Sequence, residues 1–203
     1  MRSFSFYVVL LGLLLPVRSG DAALWNQVVA LLNDTVITAW DIKREIQVER
    51  VKKGLQPTDT FSKDDLKVMT KKIIVESLVV AEAKGFGVAD IGTQADRLAW
   101  EQFQRKFSSE GAYLRFLKEH DIHESELREM LTRSLRVEQF IKEKILSVHI
   151  EITDEEIRNY RAAHRGLTDR DVRDRLKKKK IQVNLEDWIQ SLKLRNDIRT
   201  YWE

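Results

Sequence analysis

Four histidines are the side chains of this sequence best suited to acid–base or metal chemistry, and they are dispersed. His120 and His123 lie three residues apart in a predicted turn, whereas His149 and His164 stand alone. The chain has no cysteine, which excludes disulfides and Cys-ligated zinc or iron–sulfur sites. No nucleophile elbow, phosphate-binding glycine loop or metalloprotease helix occurs in it. We therefore predict a protein that is not an enzyme, with no catalytic residues, no bound metal and no cofactor.

Aromatic residues at helical spacing form a more informative pattern. They lie on one side of two consecutive predicted helices. Such a stripe is typical of an ordinary core. The alternative is that part of it lines a concave apolar surface for unfolded polypeptide, because large exposed apolar patches usually bind partners. The residues of this candidate binding surface are Trp100, Phe103, Phe107, Tyr113, Phe116 and Leu117.

A run of four basic residues, Lys177, Lys178, Lys179 and Lys180, could meet anionic lipid head groups or an acidic region of a bound polypeptide. On a helix, however, four consecutive positions span about 300° and form a collar around the axis, not a face. A solvated helix surface is the interpretation we favour, with weak contact to an anionic membrane as the alternative. The 35 basic and 32 acidic residues of the chain leave a net charge of only +3, so we predict no nucleic-acid partner.

The amino terminus has the pattern of an export signal. Arg2 precedes a 14-residue apolar run from Phe4 to Val17, and small residues follow. As a helix this run would reach about 21 Å, short of the roughly 30 Å hydrocarbon layer. We predict a signal peptide over residues 1–22, cleaved after Ser19 or Ala22, with retention as an anchor as the alternative. An exported chain without cysteine fits a bacterial periplasm.

The elements that position these residues are mostly long helices, as 33% charged residues with few glycines and prolines suggest. Residues 27–32 and 35–38 read as a β-hairpin around Asn33 and Asp34. Helices follow with N-caps at Thr38, Ser62, Thr153 and Thr168, the last running from Asp169 to about Leu194. Residues 198–202 read as a strand that must pair with the hairpin. The predicted fold is mainly α: a helical bundle with a small antiparallel sheet formed by the N-terminal hairpin and the C-terminal strand.

Several segments in this order resemble one known family. They are VVALLNDTVITAWD (residues 28–41), VESLVVAEAKGFGVAD (75–90), the stretch from SSEGAYLRF to RVEQFI (108–141) and ITDEEIRNYRAAH (152–164). Together they resemble the N-terminal chaperone domain of SurA-like periplasmic proteins. Residues 185–202 look like the helix and strand that complete this module in the family. Arg161 is a departure, because the family often has an aromatic residue there.

The resemblance implies one chaperone domain over residues 23–203, with an N-terminal module at 23–164 and a C-terminal helix and strand at 168–203 packing back onto it. Relatives usually carry parvulin-type prolyl isomerase domains after the ITDEEI helix, but the sequence continues directly into its last helix. The resemblance therefore implies an ATP-independent periplasmic chaperone for unfolded outer-membrane or secreted proteins, without isomerase activity. A structural or assembly subunit that grips one folded envelope partner is the alternative.

Overall fold

The computed structural model describes residues 27–86, 92–147, 149–164 and 166–201. The predicted signal peptide and its cleavage sites lie outside these ranges. Within them the chain is mainly helical with a small antiparallel sheet, as predicted. The elements are β1 (Val28–Leu32), β2 (Thr35–Thr38), α1 (Ala39–Lys52), α2 (Lys63–Gly85), α3 (Gly92–Gln104), α4 (Glu110–Glu119), α5 (Glu124–Ser147), α6 (Asp154–Ala163), α7 (Asp169–Leu194) and β3 (Ile198–Thr200).

The four predicted N-caps are confirmed. The side chains of Thr38, Ser62, Thr153 and Thr168 each accept a hydrogen bond from the backbone N–H three residues later. The acidic residue at that position bonds back to the N–H of the cap, as Asp41 does to Thr38 at 2.9 Å. Each reciprocal pair satisfies helix-end donors and contributes about 1 kcal/mol.

The sheet joins the two ends of the described chain, also as predicted. Its strand order is β2-β1-β3, and Leu32 pairs with Thr35 on one side and Ile198 on the other. Asn33 takes the positive φ of 51° that the hairpin turn requires. Its side-chain oxygen accepts a hydrogen bond from the backbone N–H of Asp197 at 3.0 Å, which fixes the register of β3.

Two hydrophobic clusters form the interior. The first lies between the sheet, α1, α2, the second half of α5 and the end of α7. The second lies between the end of α1, α3, α4 and the first half of α5. The buried residues of the second cluster are Val48, Val51, Phe103, Tyr113, Phe116, Leu117, Ile122, Leu127, Met130 and Leu131.

A nearly buried ionic network joins α1, α2 and α5 where the two clusters meet. Arg133 of α5 binds Glu45 of α1, and its Nε lies 3.2 Å from a carboxylate oxygen of Glu76 on α2. Lys72 of α2 lies 2.8 Å from Glu49 of α1 and 3.5 Å from Glu76. These contacts join α1, α2 and α5 at the same height along their axes. They therefore help to fix how the three helices are aligned, together with the two hydrophobic clusters.

The last helix, α7, packs against the rest of the protein through two opposite sides. Its first half packs against α6, where Val172 and Ile157 are buried, and its second half reaches the first cluster through Trp188 and Leu192. Across the described ranges, no helix is both long and apolar enough to span a bilayer.

Candidate functional site

The six residues of the predicted binding surface are brought together, but four of them are buried. Phe103, Tyr113, Phe116 and Leu117 belong to the second hydrophobic cluster. They are buried because α3 and α4 turn their apolar stripes toward each other and toward α1 and α5. These four side chains therefore contribute to the core, and Tyr113 and Phe116 also line the clefts described below.

Trp100 is partly buried, and its ring is covered by neighbours. The guanidinium carbon of Arg128 lies 4.7 Å from the ring centroid, and the Tyr113 ring meets it edge-on at 5.9 Å. A cation over an aromatic face is a favourable contact that would have to break before another group could stack there. Trp100 therefore supports the fold and offers little open surface.

Phe107 is the residue of the set that lines both of two adjacent clefts. Its ring contacts those of Phe103, Tyr113 and Phe116, with centroids 5.6, 5.6 and 5.2 Å away. The side chain is partly exposed and forms a wall of two adjacent clefts. We call them the α3–α4 cleft and the loop–α4 cleft, and together the Phe107 clefts.

The α3–α4 cleft has a volume of about 450 Å³ and is lined by Glu101, Gln104, Arg105, Phe107, Ser109, Glu110 and Tyr113. The loop–α4 cleft has a volume of about 380 Å³ and is lined by Gln56, Pro57, Thr58, Asp59, Phe107, Ala112, Arg115, Phe116, Glu119 and His120. Both combine an aromatic wall with polar and charged groups at the rim. Such a lining suits an apolar side chain carried on a polar, extended backbone.

Local structure places Phe107 between these clefts. The chain leaves α3 through turn hydrogen bonds, the last from the N–H of Phe107 to the carbonyl of Gln104 at 3.1 Å. Ser109 then caps α4 by accepting a hydrogen bond from the N–H of Ala112 at 3.2 Å. This short connection places Phe107 at the corner, where its ring contacts Phe103 of α3 and Phe116 of α4.

Sequence reasoning missed the residue that holds the far wall of the loop–α4 cleft. Gln47 of α1 is fully buried, and its side-chain amide donates to the carbonyl of Thr58 at 2.6 Å and accepts from the N–H of Thr58 at 3.1 Å. Arg50 adds a hydrogen bond to the carbonyl of Gln56 at 2.7 Å. The signal that could have found Gln47 is an amide between two apolar residues of α1, Ile46 and Val48.

The charges at the rims are not balanced. Glu101 is paired with Arg97 at 3.0 Å and Arg105 at 3.5 Å. Within the described ranges no ion pair is found for Asp59, Glu110, Glu119 or Arg115, all of which are exposed.

His120 lines the loop–α4 cleft with its ring edge-on to Phe116 at 4.9 Å. Partial burial lowers the pKa of His120, while the negative charges of Asp59 and Glu119 act in the opposite direction and Lys43 acts with burial. The imidazole is therefore mainly neutral near pH 7 and adds an aromatic, uncharged group to the cleft.

The remaining predicted groups do not converge on this site. In the part of the chain that the structure describes, no three side chains of the metal-binding types come together. In the lysine run, Lys180 is bound by Glu156 at 2.7 Å and by the carbonyl of Glu151 at 2.7 Å. Lys177, Lys178 and Lys179 are exposed.

No protein-family model and no curated protein sequence matches this chain.

Proposed function

We propose that this chain is an ATP-independent chaperone of the bacterial periplasm that holds unfolded outer-membrane or other envelope proteins. The observation that carries the proposal is the pair of open clefts sharing Phe107 as a wall. Each cleft is large enough for one apolar side chain, and each keeps polar groups at its rim. Contacts of this kind are individually weak, so a client bound at several of them is released without nucleotide.

The spacing of the clefts suits an extended client. In an extended strand every second side chain points to the same side, about 7 Å apart. One aromatic ring separates the two clefts, which is a distance of the same scale. Consecutive same-side residues of a client can therefore occupy both clefts while its backbone crosses the edge of Phe107.

The order of elements supports the same proposal. A hairpin, a helical core and a returning helix and strand are what the resemblance to SurA-like chaperone domains implies. The export signal predicted at residues 1–22 would bring the chain to the compartment where unfolded outer-membrane proteins pass. The alternative, an assembly subunit with one folded partner, uses the same scaffold but needs no open clefts.

Suppression of aggregation tests the function. The chain from residue 23 is mixed with an unfolded outer-membrane β-barrel diluted from urea, and light scattering is followed. We expect scattering to fall as the chain is added at about one to five molar equivalents. No suppression at a several-fold excess would overturn the chaperone proposal, and a single stoichiometric folded partner in pull-downs from envelope extracts would favour the assembly subunit.

A pair of phenylalanine variants tests the site. Phe107→Leu keeps an apolar wall but removes the ring shared by the clefts, and we expect it to weaken suppression. Phe86→Leu is the matched control, because Phe86 is 64% exposed at the end of α2 and lies outside both clefts. Circular dichroism and urea unfolding establish that both variants are folded. Equal activity of the two variants would refute the assignment to the Phe107 clefts.

A further inference from the structure

We propose that the Phe107 clefts select client segments in which an apolar side chain is flanked by lysine or arginine. This inference rests on the proposed function and concerns the chemistry of the segment that is held. It comes from the charges at the cleft rims together with the aromatic wall between them.

Three carboxylates and one guanidinium at the rims have no ion-pair partner among the described residues. The carboxylates are Asp59, Glu110 and Glu119, and the guanidinium is that of Arg115. Three negative charges against one positive charge leave an excess of two negative charges around the two clefts. An unbalanced rim around an apolar floor attracts a partner of opposite charge.

The position of Glu119 is not explained by helix stability. Glu110 lies in the first turn of α4, where a negative charge is favourable, but Glu119 is the last residue of α4, where the helix dipole disfavours it. Asp59 lines the same cleft, and burial with Lys43 lowers the pKa of His120 although Asp59 and Glu119 both act to raise it. Two carboxylates thus line one cleft against one guanidinium, that of Arg115, and a cationic side chain of a client would balance the remaining negative charge.

The walls that carry these charges are fixed before a client binds. Glu110 and Glu119 are on one helix, α4, and the loop with Asp59 is held to α1 through Gln47 and Arg50. A cation entering the cleft therefore meets carboxylates that need little rearrangement. Because the carboxylates are exposed, each pairing is weak, and selection depends on their acting beside an apolar contact.

Three synthetic peptides test this selection. They share one alternating apolar sequence with a fluorescent label and differ only in their flanking residues: lysine, glutamine or glutamate. Dissociation constants for the chain from residue 23 are measured by fluorescence anisotropy. In low salt we expect the lysine peptide to bind about fivefold more tightly than the glutamate peptide, with glutamine between them. In about 1 M NaCl the difference should close, because such charges are then screened beyond about 3 Å.

Charge variants locate the effect. In the double variant Glu110→Gln/Glu119→Gln we expect the ratio of the two dissociation constants to fall toward one. The matched control is Asp174→Asn/Asp187→Asn, which removes two exposed carboxylates from α7 and should leave the ratio unchanged. An equal shift in the control would show a general effect of net charge and would overturn the assignment to the clefts.

The outcomes separate this inference from the proposed function. Equal binding of all three peptides in low salt overturns the charge selection and leaves the chaperone proposal in place. Tighter binding of the glutamate peptide also overturns the charge selection. Absence of binding for every peptide, with no suppression of aggregation, overturns both.

Discussion

Arg133→Met is the most informative single perturbation of the fold, because the guanidinium of Arg133 is shared by two nearly buried carboxylates. Glu45 and Glu76 are 8% and 7% exposed, and both lie against it. Burial raises the pKa of Glu45 even with Arg133 present. Methionine fills a similar volume but leaves both carboxylates without this partner. Removing one member of a buried ionic group typically costs about 3–5 kcal/mol, and we expect a loss in that range at pH 7.

The sign of the pH dependence follows from the same geometry. In the variant the folded-state pKa of Glu45, already raised by burial, rises further because the charge of Arg133 no longer opposes burial, so folding takes up a proton. Stability from a raised pKa is present at low pH and is lost as the pH rises. The cost of Arg133→Met should therefore be smaller at pH 5 than at pH 7.

Urea unfolding at pH 7 and pH 5, followed by circular dichroism, measures both effects. Arg173→Met is the matched control, because Arg173 makes an exposed ion pair with Asp154 and its loss should cost less than about 1 kcal/mol. The triple variant Arg133→Met/Glu45→Leu/Glu76→Leu should recover most of the stability. A loss below about 1 kcal/mol for Arg133→Met, or an equal loss at both pH values, would refute the description of the network as buried and coupled.

Three further predictions concern single positions. Gln47→Leu should release the loop, seen as faster amide hydrogen exchange at Thr58 with the β1–β2 hairpin unchanged; unchanged exchange at Thr58 would contradict it. Gly54→Ala should lower the free energy of unfolding by about 1 kcal/mol, because Gly54 has a φ of +73°. Gly85→Ala, in a helix and with similar open space, should raise it by about 0.5 kcal/mol. Changes of the same sign in urea unfolding would contradict this prediction. Although burial opposes it, hydrogen bonds and charges from neighbouring lysines lower the pKa of Glu49 to about 2. About 1–2 kcal/mol of folding free energy, discounted for solvent screening, should therefore be lost as the pH falls from about 4.5 to 2. Glu49→Gln should remove this pH dependence of the urea midpoint, and an unchanged dependence would contradict the assignment.

The parts of the fold that sequence could predict depend on local chemistry. The hairpin followed from Asn33 and Asp34 between two β-branched segments, and the helix starts followed from side chains such as Thr38 and Thr168 with an acidic residue three positions later. The meeting of the two ends followed from a single logical step. A lone terminal strand needs a partner, and the hairpin was the only sheet predicted.

The parts that sequence could not predict depend on which helices pack together. The spacing of Phe103 and Phe107 is the same whether this side of the helix is buried or exposed. Its exposure is determined by the packing of α4 against it, which the sequence does not show. Arg133 and Glu45 are 88 positions apart, so nothing local relates them. Gln47 reads as an ordinary helix residue until the loop with Thr58 folds back over it. The apolar residues of α7 do not form one stripe, because its first half packs on α6 through one side and its second half packs on the first cluster through the opposite side.

Site-specific photo-crosslinking tests the central proposal most directly. A photoreactive benzoylphenylalanine is placed at Arg105 in the α3–α4 cleft, at Arg115 in the loop–α4 cleft, or at Asp187 on α7 as a control, and each protein is irradiated with an unfolded outer-membrane β-barrel. We predict adducts from both cleft positions, few from the control, and none with the same barrel once it is folded in detergent. Adducts that form equally from Asp187, or none from either cleft, would contradict the proposal that the Phe107 clefts hold unfolded clients.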